Sequence, residues 1–330
     1  MITENIVAIC RKVGKAIASF GIVAIATLAF LLASDLILPS SAAAYPFWAQ
    51  QTAPETPREA TGRIVCANCH LAEKAAEIEI PHSVLPDRVF DAVVKIPYDL
   101  EAKEIYGDGS EGDLQVGAVL MLPEGFKIAP EDRIPAELQE KVGGIYYQEY
   151  QQGQENVVMV GPLPGSVYAE EGIHFPILSP NPATDKNVNF GKFSVHVGAN
   201  RGRGQIGPAG NMTNNNQFRA SASGTIAAVT ASETGGYEIT IDKGNASVVE
   251  LIPPGPQLIV AEGEAIAEGQ PLTEDPNVGG FGQKDTEIVL QSSTRVAFLV
   301  GFLGLIMLAQ LLLVIKKKQV ERVQAAEMNF

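Results

Sequence analysis

FSVHVGAN, residues 193–200, sets the reading of the whole chain. Phe193, Val195 and Val197 alternate with Ser194 and His196, the two-residue period of a strand with one face buried and the other polar. Working outward, VFDAVVKIP (89–97), ENVVMVG (155–161), GTIAAVTA (224–231) and GYEITID (236–242) are further short β-rich runs separated by Gly, Pro and Asn. DTEIVLQ (285–291) supplies a late strand that returns to the first sheet. Helical spacing is confined to LAEKAAEIE (71–79) and APEDRIPAELQEK (129–141). The expectation is a mainly β protein whose residues 45–294 form one large domain or two unequal ones.

Against that β background stands GRIVCANCH, residues 62–70. Cys-x-x-Cys-His is the attachment pattern of a c-type haem: Cys66 and Cys69 add to the porphyrin vinyl groups, and His70 becomes an axial iron ligand. A structural zinc would need four ligands, and beyond Cys66, Cys69 and His70 the chain past residue 10 offers only His82, His174 and His196, none paired at metal spacing. A disulfide or thioredoxin-type redox pair would leave His70 unexplained and lacks the alternation of strand and helix expected around it.

The ends of the chain give its topology. Arg11, Lys12 and Lys15 precede the apolar run Ala16–Ala33, and Ala42 and Ala44 stand at the small-residue positions of a cut before Tyr45. Residues 1–44 therefore read as a signal peptide, with an uncleaved anchor as the alternative. A second apolar stretch, Val296–Ile315, holds no charge and is flanked by Arg295 and by Lys316, Lys317 and Lys318. At 1.5 Å per residue its twenty residues span about 30 Å, enough to cross a bilayer. The lysines keep the tail 316–330 on the cytoplasmic side, or its equivalent, and put 45–294 on the other. Of the chain's net charge of −14, the first 44 residues carry +1 and residues 295–330 carry +3, so the domain between them carries −18. Such a field excludes nucleic acid and favours a neutral or basic soluble partner.

A compositional break at NMTNNNQFRASASG (211–224) reads as a linker into an inserted small β domain, 213–276. Its segment PPGPQLIVAEGEAIAEGQPL (253–272) resembles the hairpins of lipoyl and biotinyl carrier domains, without a lysine at a hairpin tip for swinging-arm chemistry. The large domain then takes 45–212 and 277–294, followed by a membrane helix at 295–315.

The second axial ligand is open on composition alone. Met121, Met159, Met212, His82, His174 and His196 are candidates, together with the α-amino group of Tyr45, which exists only after the cut. An α-amine has an unperturbed pKa of about 7.7 to 8.0, so freeing its lone pair near neutrality costs little. Pro46 would stiffen the turn, and Phe47 and Trp48 would cover an apolar ring.

The mature start YPFWAQQ, CANCH, VHVGANRGRGQIGP, the inserted domain and the single C-terminal helix together resemble the cytochrome f family over essentially the whole chain. Trp48, where plant members tend to have phenylalanine, is similar to the cyanobacterial branch. The resemblance implies an elongated two-domain protein, a large β-sandwich-like haem domain and a small one, in the thylakoid lumen. It implies one covalent haem c, its iron held by His70 and the Tyr45 amine, with Asn200 and its neighbours lining buried waters; for Asn200 a turn cap is the competing role. It further implies an electron-carrier subunit rather than an enzyme in its own right. Its partners would be cytochrome b6, subunit IV, the Rieske iron-sulfur protein and the small subunits of a dimeric cytochrome b6f complex, with plastocyanin or a soluble cytochrome c as acceptor. Plant members present a lysine ridge where this chain has Ser110 and Glu111, so the acceptor expected here is basic or near-neutral.

Overall fold

The computed structural model describes residues 45–233 and 235–328, with side chains from Trp48 onward. The signal-peptide reading of 1–44 and the side chain of Pro46 lie outside what is described.

FSVHVGAN forms the middle of the longest run of pairing. Strand Gly191–Arg201 runs antiparallel to Gly280–Leu290 over its full length and to Gln115–Met121 over its second half. These are the centre of a six-stranded sheet ordered Ser83–Val84, Gly280–Leu290, Gly191–Arg201, Gln115–Met121, Val157–Pro164, Gln148–Glu149. The late strand thus closes back on the first sheet, as its sequence suggested. Val195, Val197 and Ala199 bury one face of it in a core shared with Ala92, Val94, Ile173, Phe175 and Ile177. Those residues belong to a four-stranded sheet of Glu77–Glu79, Val89–Lys95, Ile173–Leu178 and Lys127–Ile128, so two sheets face each other across an apolar layer.

The two-residue period breaks at Gly198, which is buried although its neighbours in the pattern are polar. A Cβ there would lie 2.8 Å from Phe281 Cζ and 2.9 Å from Ile64 Cδ1. The second face of the sheet is therefore also covered, by a cluster of Ile64, Val119, Met121, Tyr150, Val157, Met159 and Phe281, with Cys66 and Ala67 packed against it. That cluster brings the CANCH segment onto the sheet.

A third sheet, Ser247–Ile252, Tyr237–Asp242, Gly224–Ala231 and Ala265–Ile266, has a core of its own built on Ile226, Ile239, Ile241 and Leu272. The polar segment leading into it is no loose linker: Asn214 and Asn215 are buried, and Ala220 and Leu272 exchange backbone bonds with Gln270 and Phe218.

Three expectations need correcting. LAEKAAEIE forms no helix; only Glu77–Glu79 is regular, and it is a strand. Lys74 donates to the Phe281 carbonyl at 2.9 Å and Phe281 to that of Ala72 at 2.8 Å, so the sheet takes the backbone groups a helix would have used. Tyr45–Thr52 is a helix with Pro46 in its first turn, where a missing N–H costs nothing. Asn200 lies inside the Gly191–Arg201 strand, opposite Gly117 and Phe281, and caps no turn.

APEDRIPAELQEK yields a short 3-10 turn and the helix Ala136–Val142. The apolar C-terminal stretch is part of one helix, Ser293–Glu327, long and apolar enough to cross a membrane, with no buried residue in it. The helix runs on through the three lysines, so most of the expected tail is helical too.

Candidate haem site

The CANCH segment opens as a 3-10 turn, Val65–Asn68. Three residues per turn superpose positions i and i+3, which puts Cys66 and Cys69 on one side with His70 next in line. Cys69 and His70 both donate to the Cys66 carbonyl, at 3.2 and 3.0 Å. Two glutamines fix the turn from outside. Gln283 accepts from the Ile64 amide at 3.0 Å and donates to the Gly62 carbonyl at 3.0 Å. On the far side, the Gln205 amide donates to the Cys69 carbonyl at 2.7 Å and its side chain accepts from the Leu71 amide at 2.9 Å. His70 is thus bracketed by bonds at both neighbours.

Gly204 lets that loop come close: a Cβ there would stand 3.1 Å from the Cys69 carbonyl oxygen and 3.2 Å from its Cβ. Gly204→Ala should cost about 1 to 3 kcal/mol by overpacking. Thermal unfolding of the holoprotein checks it, with a melting temperature equal to wild type as the contrary result.

Both cysteines are free thiols and half-buried. Burial pushes Cys66 up to about 12, helped by the nearby Cys69 and opposed by a backbone hydrogen bond. Burial raises Cys69 as well. Thiols held protonated are poor redox nucleophiles and poor metal ligands. His70 is 8% exposed, with a buried Nδ1 that has no hydrogen-bond partner. Burial and then the Arg201 guanidinium lower it to about 4, so the ring is neutral at pH 7 and has a lone pair to offer. Among the described residues no three His, Cys, Asp or Glu side chains gather as a metal site, which leaves a zinc reading without its ligands. Two protonated thiols on one side of a turn, a neutral buried imidazole with an unpartnered nitrogen, and an apolar wall behind them fit a c-type haem.

A model described as "Apocytochrome F, N-terminal" matches residues 45–202, and one described as "Apocytochrome F, C-terminal" matches 214–330. The chain belongs to the cytochrome f family. Its relatives include cytochrome f of Microcystis aeruginosa, 65% identical over all of both chains, and of Rippkaea orientalis, 64% identical over the same span. Cytochrome f of Synechocystis is 62% identical over 97% of each chain. Membership of the cytochrome f family brings a c-type haem and a place as a membrane-anchored electron-carrier subunit of the cytochrome b6f complex in photosynthetic electron transport.

The other ligand candidates separate by position. Met212 is exposed and His82 is on the surface. His174 Nδ1 is 2.7 Å from Asp91, and His196 Nδ1 is 2.8 Å from Asp285. Only Met121 and Met159 of this group share the apolar cluster with Cys66. Tyr45 opens the helix Tyr45–Thr52. Further along, the buried Tyr150 hydroxyl lies 2.8 Å from the Ala49 carbonyl, and Gln50 donates to the Tyr150 carbonyl. Trp48 is 38% exposed.

Sequence reading missed Tyr150, Gln283 and two buried charged residues, Arg201 and Glu104. Gln205 and Arg201 fall inside the quoted VHVGANRGRGQIGP, but nothing in their spacing marks them; Tyr150 and Gln283 carry no local signal at all.

Proposed function

We propose that Cys66 and Cys69 hold haem c through thioether bonds and that its iron is ligated by a ring nitrogen of His70 and by the α-amine of a mature Tyr45. Each thiol would add across a vinyl group, sulfur to one carbon and its hydrogen to the other, and both cysteines are free for it. The haem supplies a one-electron couple. The residues around it supply rigidity: His70 is gripped through Cys69 and Leu71 by Gln205, so little has to reorganise when charge changes. The observation that carries this reading is the neutral, buried, unpartnered His70 imidazole directly after two free thiols on one turn.

In this reading residues 1–44 are removed, and 45–212 with 277–294 form the haem domain. Residues 213–276 form the small domain, and the helix anchors the chain in the thylakoid membrane with 45–294 in the lumen. Asn200, Pro46 and Trp48 belong to the haem surroundings. Within a dimeric complex with cytochrome b6, subunit IV and the small subunits, the chain takes one electron from the Rieske iron-sulfur protein and passes it to plastocyanin or a soluble cytochrome c.

The net charge of the domain chooses the acceptor. Lys103, the lysine left of the plant ridge, is paired with Asp113, and Lys192 with Glu287. A basic plastocyanin should therefore oxidise the reduced protein roughly tenfold or more faster than an acidic one at low salt, the gap closing as the Debye length shrinks to about 3 Å near 1 M. Stopped-flow oxidation across ionic strength measures this. An acidic plastocyanin that reacts faster and is slowed by salt would sink the docking claim; no oxidation by either plastocyanin or by a soluble cytochrome c would sink the function.

A further inference from the structure

Glu104 lies on the short strand Lys103–Ile105 and is 1% exposed. Its Oε1 accepts from the Gln115 amide at 3.2 Å, while its Oε2 is buried with no hydrogen-bond partner. A carboxyl so placed has one oxygen free to carry a proton. Gly202 lies on that side, where a Cβ would stand 3.3 Å from Oε2, and the Arg203 backbone lies beside the carboxyl too. Gly202 begins the loop that three residues later becomes Gln205, the residue holding Cys69 and Leu71. The unpartnered carboxyl oxygen thus lies beside one end of a four-residue loop whose other end, Gln205, is bonded to the haem-binding turn.

We propose that Glu104 binds a proton when the haem is reduced and releases it when the haem is oxidised, a role that rests on the haem attachment proposed above. The step balances as one electron entering the haem from the donor and one proton moving from solvent to Glu104 Oε2, which gains an O–H bond. Both reverse on oxidation. The driving term is Coulombic: an added negative charge in a poorly solvated site favours the neutral acid.

The charges around Glu104 set where this happens. Arg203 approaches it from the loop, and its guanidinium is occupied by the Ile105 carbonyl at 2.8 Å and by Asn214. On the carboxyl's own hairpin, Lys103 is turned to Asp113, and the Tyr106 hydroxyl donates to the Asp113 carbonyl. The Gln115–Met121 strand brings no charge. Arg201, at the end of Gly191–Arg201, is buried beside His70 and donates to the Ala75 carbonyl. Burial lifts Glu104 to about 7, against the pull of the Gln115 amide and of Arg203. Both protonation states are therefore populated near neutrality.

The midpoint potential of the holoprotein should fall as pH rises through this range, because the reduced state binds the proton more tightly. Threefold tighter binding converts to a total fall of about 28 mV, at 59 mV per tenfold for one electron. Glu104→Gln, a neutral side chain of the same shape, should hold the potential at its acid-limb value from about pH 5 to about pH 9. A merely structural role would shift the potential without flattening its pH dependence. The same fall in the Gln variant overturns the proposal. If that variant loses its haem, the reduced-minus-oxidised infrared spectrum of the wild type at pH 7 decides, since a protonated carboxyl band must grow on reduction and its absence is equally fatal. Haem stain after denaturation reports separately on the attachment itself.

Discussion

One residue added ahead of Tyr45 in the mature protein is expected to change both the optical and the resonance spectrum of the haem. An α-amine with a pKa near 7.7 to 8.0 gives up its proton at pH 7 for about 1 kcal/mol, against about 4 to 5 kcal/mol for a lysine. The extension turns that amine into an amide, whose nitrogen has no basic lone pair to give. The helix Tyr45–Thr52 should persist, because Ala49 and Gln50 keep their bonds to Tyr150. The change at the iron is therefore all or none, with a weak-field or exchangeable position in place of the amine and carbon monoxide gaining access to the ferrous form. An unchanged spectrum would pass the role to Met121 or Met159, the candidates already packed in the cluster with Cys66.

Replacing Cys66 and Cys69 together by alanine should abolish haem that survives denaturing electrophoresis, while either single replacement leaves one thioether and a weaker stain. The turn itself is built from backbone groups and from Gln205 and Gln283, none of which uses a sulfur. Circular dichroism should accordingly show the β signature intact in the double variant. Stain that persists without either thiol would mean that the haem is held elsewhere, and the reading of CANCH would fall with it.

How far the sequence could be read depends on whether a residue's job is local. The alternation in FSVHVGAN is local, so the strand and its buried face were legible; the burial of Gly198 was not, because it reflects Phe281 and Ile64 arriving from distant segments. LAEKAAEIE has helical composition, yet its backbone is bonded to Phe281 more than two hundred residues away, and tertiary pairing outweighs propensity. NMTNNNQFRASASG reads as linker because it is polar, but Asn214 spends its amide on the carbonyls of Tyr106 and Pro254, each at 2.8 Å. Cys66, Cys69 and His70 stand out because their pattern is contiguous, complete within five residues of sequence. Tyr150 and Gln283 act on partners no window of sequence contains.

Strand Gly280–Leu290 passes into the membrane helix through Gln291 and Ser292 alone, and the Ser292 hydroxyl caps the helix at the Arg295 amide, 3.3 Å away. Two extended residues reach about 7 Å. That is a hinge pin rather than a tether, so the end of the strand, and with it the sheet it belongs to, is held close to the first turn of the helix.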